Sequence, residues 1–396
     1  MDILAKYYAV FFFSKTVCKI YFGDVSMTNC NFYMPVRMLS GKDCVTKNAS
    51  ELKKLGSRCL IITGHNSARK CGALDDCIDA LTSCDIAYRI FDGIEQNPTL
   101  KSCAEAGAEA RYFKADFIIG IGGGSPLDAA KAAAVLAVND MDPFDLYKAD
   151  WENPALPFVL VGTTAGTGSE ITPFSVLTNE KTGRKKSFSH PGQTYAKIAF
   201  CDPKYTFSLP YDFTVSTALD ALSHALEGYY GSRANDISDM FALLAVKEIF
   251  EALKQISSDC EITPSLREQL YYGSLHAGMT LNHCSTCFCH QFGYFLSEDH
   301  HIPHGFACAT TLPEFTLRGK QFKPDKAATM ETYLNCSIEE LCHMIELWNT
   351  VQLPRLTEAE IDAIIPRYEN AKHLRESPGG FTLEEARELF IKKFSR

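Results

Sequence analysis

A glycine-rich segment between an apolar run and an alanine-rich run constrains the fold of this chain more than any other feature. Residues 115–121 are short, apolar and β-branched, which indicates a buried strand. Gly122, Gly123 and Gly124 follow and let the backbone turn sharply beside a ligand. Ser125 is a favoured N-cap residue and Pro126 a favoured first helical residue, ahead of an alanine-rich stretch. Strand, loop and helix N-terminus together predict an anion site, with an ordinary tight turn as the alternative.

A second loop repeats this arrangement. Residues 158–161 form another apolar run, and Thr163 to Glu170 follow as a loop of threonine, glycine and serine. Neither loop matches the dinucleotide fingerprint or the P-loop pattern. Two such loops in one chain nevertheless indicate that a dinucleotide binds.

Bulk composition excludes some classes of protein. The formal net charge of −9 over 396 residues provides no basic surface for nucleic acid. No apolar segment reaches the roughly 18 residues that a membrane span needs. The 16 cysteines are irregularly spaced, which favours reduced thiols and a cytoplasmic protein over a disulfide framework. Residues 1–30 are interpreted as an N-terminal extension without a clear signal peptide, and Met27 resembles an ordinary start.

Strand and helix patterns divide the chain in two. Predicted strands at 58–63, 87–91, 115–121 and 158–162 are separated by helical stretches, which indicates βαβ units and a mostly parallel sheet. Helical patterns dominate afterwards, at 214–232, 236–256, 264–297, 327–350, 358–372 and 382–393. We therefore predict an α/β dinucleotide-binding domain over 31–205 and an all-helical domain over 206–396.

The helical half contains candidate metal ligands. Asp220 and His224 are spaced i and i+4, so one helical face presents a carboxylate and an imidazole. By itself, such a pair is more often a solvated contact than a metal site. His290 and His304 come from later segments, and together the four residues could hold Fe(II) or Zn(II), which suit these donors better than Mg²⁺ or Ca²⁺ do.

Several motifs, taken together and in order, resemble the iron-containing (group III) alcohol dehydrogenases, near the 1,3-propanediol and butanol dehydrogenase branch. They are Asn31-Phe-Tyr-Met-Pro, Gly122-Gly-Gly-Ser-Pro-Leu-Asp, Thr163-Thr-Ala-Gly-Thr-Gly-Ser-Glu, Asp220-Ala-Leu-Ser-His-Ala-Leu-Glu-Gly, His290-Gln-Phe-Gly and Ile302-Pro-His-Gly. The resemblance implies a Rossmann-like domain followed by an all-helical, dehydroquinate synthase-like domain. It also implies a divalent metal, usually iron and sometimes zinc, in the cleft between them, and bound NAD(P)(H).

The resemblance assigns Asp220, His224 and His304 as catalytic metal ligands. Many members carry a further ligand histidine four residues before a His-Gln-Leu-Gly-like motif, where this chain has Thr286. His290 is therefore assigned as the fourth ligand, although it could instead lie beside the nicotinamide. Cys287 and Cys289 flank it, and for both of them packing is favoured over ligation.

The resemblance also assigns residues to the cofactor. Gly123, Gly124 and Ser125 are expected at the pyrophosphate and Asp128 near the nicotinamide ribose. The second loop contributes Thr163, Thr164 and Thr167, and Asn97 belongs to an Asn-Pro-Thr motif. Lys185 matches a lysine that reaches the cofactor, with a charged surface hairpin as the alternative. Gly64 and Ser67 follow the strand at 58–63. No carboxylate stands between this strand and Asp75 to repel a 2′-phosphate, so NADP(H) is favoured over NAD(H).

The expected function is reversible hydride transfer between a nicotinamide and a small primary alcohol or diol. The alternatives are a glycerol-type or sugar-phosphate enzyme on the same scaffold, and a non-catalytic protein that binds NADP and metal. Neither nucleic acid nor a membrane is expected as a partner, and a homodimer is the candidate assembly.

Overall fold

The computed structural model describes residues 30–395. Nearly all of the predicted N-terminal extension, residues 1–29, lies outside this range, as does residue 396. The strands are β1 (Arg37–Ser40), β2 (Arg58–Thr63), β3 (Ala87–Phe91), β4 (Phe117–Gly122), β5 (Phe158–Gly162), β6 (Ser175–Asn179), β7 (Arg184–Phe188) and β8 (Ile198–Cys201). Six of them form one parallel sheet, in the order β1-β8-β5-β4-β2-β3. The other two, β6 and β7, pair as a separate antiparallel hairpin.

Both faces of the sheet are covered, which explains why its central strands are apolar throughout. Along β2, Leu60 and Ile62 belong to one buried cluster, whereas Cys59 and Ile61 belong to another. Successive side chains of a strand point to opposite faces, so each face has its own core. The helices between the strands are α1 (Cys44–Lys47), α2 (Ala49–Lys53), α3 (Ser67–Lys70), α4 (Ala73–Ser83), α5 (Leu100–Phe113) and α6 (Gly124–Leu136).

The chain is helical after β8. The helices are α7 (Tyr211–Tyr230), α8 (Asp236–Leu253), α9 (Pro264–Leu281), α10 (Phe288–Asp299), α11 (His304–Ala309), α12 (Leu312–Phe322), α13 (Pro324–Leu334), α14 (Ile338–Trp348), α15 (Glu358–Ile364), α16 (Lys372–Glu376) and α17 (Leu383–Phe394). In residues 30–395 no helix combines the length and the apolar character that a bilayer span requires.

The four predicted strands are confirmed, as are the predicted helices 214–232, 236–256 and 382–393, but the other three predicted helices of the second half are wrong in extent. The predicted helix 264–297 is interrupted after Leu281 and resumes at Phe288. The predicted helix 327–350 is interrupted after Leu334, where Asn335 adopts a left-handed conformation and Ser337 caps the next helix. The predicted helix 358–372 also ends early, at Ile364, where a short 3-10 turn follows. Hydrophobic periodicity continues through these breaks, because both sides of each break pack on the same core.

The strand order places both glycine loops together. β4 and β5 are neighbours, so their loops leave the same carboxyl edge of the sheet. The order of connection reverses between β2 and β4, and in open α/β sheets such a reversal marks the ligand crevice. The loop after β2, which contains Gly64 and leads to Ser67 at the start of α3, lies on the other side of that crevice.

Candidate metal and cofactor site

Three helices bring the predicted metal ligands together. Asp220 and His224 lie one turn apart on α7, His290 lies in the first turn of α10, and His304 is the first residue of α11. His290 Nε2 is 3.6 Å and His304 Nε2 is 3.9 Å from Asp220 Oδ1. A Cβ atom at Gly305 would lie 1.7 Å from the carbonyl oxygen of Ser216 on α7, so this glycine allows the close approach of α11.

The donor atoms of this cluster are buried and lack partners. Asp220 Oδ1, His224 Nδ1 and His290 Nε2 accept or donate no hydrogen bond. Because an unpaired buried polar atom is costly, the facing atoms of Asp220 and His290, with a third unpaired atom on the neighbouring His224, indicate that a further group binds here. Carboxylate oxygen and imidazole nitrogen are donors for Fe(II) and Zn(II), so the residues fit the divalent ion that the resemblance implies.

The charges of the cluster support the same conclusion. Burial lowers the pKa of His224 to about 4 and that of His304 to about 3, so both imidazoles are neutral and available as ligands at neutral pH. Burial acts to raise the pKa of Asp220, but the nearby imidazoles outweigh it and hold this pKa below its usual value. Asp220 is therefore a carboxylate, ready to bind a cation.

Glu227 orients His290, and sequence reasoning missed it. One carboxylate oxygen accepts hydrogen bonds from the backbone N–H groups of Cys287 and Cys289 at 2.9 Å, and of His290 at 3.3 Å. The other oxygen pairs with His290 Nδ1, which leaves Nε2 facing Asp220. Such a partner fixes the tautomer of a ligating histidine. The signal was present in the sequence, because Glu227 follows Asp220 by seven residues and shares its helical face.

The tightest group of donors differs from the predicted one. Ligand atoms of Asp220, His290, His304 and Cys308 all lie within 4.8 Å of one another. His224 is outside this group, and its ring stacks on His290 at 4.5 Å between centroids. Cys308 was missed, although it follows His304 by four residues and so faces the same side of α11.

Other residues considered as ligands are placed elsewhere. Thr286 lies in the segment between α9 and α10. The thiol of Cys287 is directed to the carbonyl oxygens of Glu227 and Glu376, at 3.8 and 3.5 Å. Cys289 is fully buried beside His290 but is likewise outside the group.

Tyr294 is a further neighbour that the sequence analysis did not identify. It lies one turn after His290 on α10, and its ring stacks on His304 at 5.6 Å between centroids. Burial raises the pKa of this phenol to about 12, so it stays protonated at neutral pH.

The two glycine loops pack directly against each other. The Thr163 amide donates to the Gly122 carbonyl oxygen at 2.9 Å. A Cβ at Gly123 would lie 3.0 Å from Thr164 Cγ2, and one at Gly124 would lie 2.9 Å from Thr167 Cγ2. Any larger residue at these two glycines would force the loops apart.

The predicted cap of the next helix is wrong. α6 begins at Gly124, with Gly123 as its N-cap, rather than with Ser125 as the cap and Pro126 as the first residue. The Ser125 hydroxyl instead accepts a hydrogen bond from the backbone N–H of Asn97 at 3.2 Å. Asn97 itself has a positive φ of 59°, and its carbonyl oxygen accepts from Thr178 on β6. Ser125 and Asn97 thus join two loops at the mouth of the crevice.

Asp128 is held by protein groups on both of its oxygens. Oδ1 accepts from the Ser169 hydroxyl at 2.6 Å and Oδ2 from the Val176 amide at 2.9 Å. The ammonium group of Lys131, which is fully buried, lies 3.5 Å away. These contacts tie α6 to the second loop and to β6, and a contact between Asp128 and the cofactor stays a prediction.

Lys185 belongs to the expected hairpin and also lies beside the metal cluster. Its backbone N–H donates to Glu298 on α10 at 2.8 Å, and neighbouring Arg184 pairs with Glu298 and Asp299 at 2.8 Å each. Burial lowers the pKa of Lys185, and Asp220 lies close enough to act on it electrostatically. The hairpin therefore joins the two halves of the chain and directs a cation toward the cluster.

On the far side of the crevice, Gly64 and Ser67 follow β2. A Cβ at Gly64 would lie 3.1 Å from the Ile94 carbonyl oxygen and 3.9 Å from Pro126 of α6. Ser67 is exposed and begins α3. The loop after β2 is thus packed beside the first glycine loop, as expected at the point where the strand order reverses.

A parallel sheet with paired glycine loops, joined to a helical unit with a cluster of metal donors, defines a class of nucleotide-dependent metalloenzymes. Residues 35–203 match the family described as iron-containing alcohol dehydrogenase, and residues 214–372 match the C-terminal part of the Fe-containing alcohol dehydrogenase family. The chain belongs to the iron-containing alcohol dehydrogenase family. Its activity is that of a metal-dependent alcohol dehydrogenase or aldehyde reductase.

Individual relatives agree with this assignment. The sulfoacetaldehyde reductase of Bilophila wadsworthia is 35% identical over 71% of this chain and 72% of its own length. The 1,3-propanediol dehydrogenase of Klebsiella pneumoniae is 29% identical over 87% of each chain. A crystal structure of an iron-containing alcohol dehydrogenase from Thermotoga maritima has 34% identity and a TM-score of 0.84, and covers 92% of this chain and 99% of that one. The fold class and family expected from the motifs are confirmed.

Proposed function

We propose that this chain reduces small aldehydes with NADPH, and oxidises the corresponding primary alcohols, at an Fe(II) ion held by Asp220, His224, His290 and His304. The observation that carries the proposal is the set of unpartnered buried atoms on the first three of these residues. Buried polar atoms without partners destabilise the metal-free protein, and a bound cation would stabilise them.

Each residue has a definable part in this reaction. A bound divalent ion would polarise the aldehyde oxygen, and a reduced nicotinamide would supply the hydride. Asp220 contributes the negative charge of the proposed ligand set, and Glu227 keeps His290 Nε2 turned toward it. Lys185 brings a cation to the same cleft and is proposed to contact the cofactor there.

The cofactor residues are proposed from their place at the sheet edge. Backbone N–H groups at Gly123, Gly124 and Ser125 begin α6, and a helix N-terminus favours the negative charge of a pyrophosphate. Thr163, Thr164 and Thr167 form the facing loop.

The preference for NADPH rests on the loop after β2. Ser67 is exposed at its end, and no acidic residue lies between Thr63 and Asp75. Ser67→Asp should weaken NADPH binding more than NADH binding, because a carboxylate repels the 2′-phosphate. Ser67→Asn is the matched neutral control. Equal effects of Ser67→Asp on both cofactors would contradict this placement, and tighter binding of NADH by the unaltered protein would overturn the NADP assignment.

Purified protein loaded with Fe(II) without oxygen tests the activity itself. NADPH oxidation is followed with butanal and other short aldehydes. His224→Ala and Asp220→Asn should lose turnover and metal while NADPH still binds, whereas His276→Ala, on α9, should stay active. Activity retained in His224→Ala or Asp220→Asn would refute the ligand set. NADPH that binds but is not oxidised by any short aldehyde would favour a non-catalytic protein.

Two further expectations belong to the same proposal. Every cysteine in residues 30–395 is a free thiol, which supports a reducing compartment such as the cytoplasm. The homodimer stays a prediction, which the sedimentation of the purified chain would test.

A further inference from the structure

We propose that Cys308 is also a metal ligand, so that this chain binds its ion with sulfur as well as oxygen and nitrogen. The inference rests on the metal site proposed above and adds a donor to it. Cys308 belongs to the group of donor atoms that lie within 4.8 Å of one another, whereas the other thiols nearby do not.

The distances suit one shared ion. Two ligands of one ion, with bonds of about 2.1–2.3 Å, lie roughly 3.0–3.8 Å apart as the angle between the bonds widens from a right angle to the tetrahedral angle. Asp220 Oδ1 lies 3.6 Å from His290 Nε2 and 3.9 Å from His304 Nε2. The Cys308 thiol lies 3.7 Å from His304 Nε2. These separations require only small side-chain adjustments around an ion.

The surroundings of the thiol favour ligation over simple packing. Asp220 and His290 are only 4% and 2% exposed, and each directs an unpartnered atom into the group that the thiol completes. Cys308 itself is fully buried and follows His304 by one helical turn. A Cβ at Gly293 would lie 2.8 Å from the Cys308 sulfur, so glycine on α10 makes room for the thiol at this point.

A thiolate ligand changes which ion the site prefers. On binding, the S–H bond breaks, the proton passes to solvent, and the sulfur donates an electron pair to the ion. Thiolate is a soft donor and suits zinc well, so a site with sulfur should retain Zn(II) better than one with oxygen and nitrogen alone. We therefore expect Cys308 to increase the zinc affinity of this enzyme relative to its affinity for iron.

X-ray absorption of the full chain loaded with Zn(II) tests this proposal without measuring activity. A sulfur ligand appears at about 2.3 Å, and nitrogen or oxygen ligands at about 2.0–2.2 Å. The unaltered protein should show one sulfur, and Cys308→Ser should lose it while still binding zinc. Cys289→Ser is the matched control, because this buried thiol lies beside His290 but outside the group of donors.

The Co(II)-loaded protein gives a second measurement. A thiolate-to-cobalt absorption band in the near ultraviolet should be present in the unaltered protein and in Cys289→Ser, and absent in Cys308→Ser. A bound ion surrounded only by nitrogen and oxygen in the unaltered protein would overturn the role of Cys308 and leave the proposed metal site intact. A sulfur signal that survives in Cys308→Ser would also overturn it. A chain that binds neither ion would refute the metal site itself.

Discussion

The substitution Glu227→Gln tests how the protein orients His290, a proposed metal ligand. The side chains have nearly the same shape, so the amide oxygen of Gln can still accept from the N–H groups of Cys287 and Cys289. The amide NH₂ group would then face His290 Nδ1, where a carboxylate oxygen now lies. Because NH₂ is only a donor, Nδ1 must become the acceptor and the ring proton must move to Nε2. Nε2 is the atom that faces Asp220, so the proton would occupy the place of the ion.

Glu227→Gln should lower the metal affinity strongly, although Glu227 is not itself one of the proposed ligands. Loss of the partner of a ligating histidine lowers metal affinity about 10–100-fold, and the reversed tautomer predicts the upper end, about 2.7 kcal/mol. Competition with a chelating dye measures this affinity. Thermal unfolding of the metal-free protein and NADPH binding show whether the fold and the cofactor site persist.

A matched control separates this effect from the general loss of a glutamate–histidine pair. On α8 and α9, Glu248 lies 2.7 Å from His276 Nδ1, away from the cluster. Glu248→Gln should leave metal affinity unchanged. Unchanged affinity in Glu227→Gln as well would refute the argument that Glu227 fixes the tautomer of His290.

Three further variants test other parts of the structure. In the metal-free protein His224 has a pKa of about 4, against about 6.5 when unfolded. The unfolded state therefore binds more protons between these values, and the free energy of unfolding decreases as the pH falls through this window. His224→Gln should reduce that dependence in urea unfolding, and an unchanged dependence would contradict the burial argument. Gly293→Ala should lower the free energy of unfolding by about 1–3 kcal/mol through overpacking. Gly192→Ala should not, because its Cβ would lie 3.5 Å from the ring of His190, an ordinary contact distance. Asp128→Asn leaves the buried ammonium of Lys131 without its anion and should cost about 3 kcal/mol in urea unfolding. NADPH binding weakened without this loss would support a direct role of Asp128 at the cofactor.

Local signals in the sequence were sufficient for much of the architecture. The apolar runs at 58–63 and 158–162 are strands, and the loops after 122 and 162 meet at one edge of the sheet. An apolar run lies within a single strand, and a glycine loop directly follows one, so both signals are local in the sequence. The short strands β1 and β8 were not predicted, because four residues provide too little pattern.

The metal site was predictable only in part. Asp220, His224, His290 and His304 are in fact brought together, and their types and motifs indicated this. The break between α9 and α10 was not predicted, because no glycine or proline marks it. At this break the backbone N–H groups that begin α10 donate hydrogen bonds to the carboxylate of Glu227. Glu227 lies on α7, about 60 residues earlier in the chain, so the contact leaves no local signal.

The sequence by itself determined the family, the four central strands with their glycine loops, and the residue types that can bind an ion and a nucleotide. The tertiary structure alone decided which donors share one point in space: Cys308 joins Asp220, His290 and His304, while His224 stacks beside them. It also decided that Asp128 is held by Ser169 and Val176. The physical reason is that periodicity and capping act over a few residues. The contacts that α7 and Asp128 make here instead join residues 40 to 90 positions apart and depend on how whole helices and loops pack.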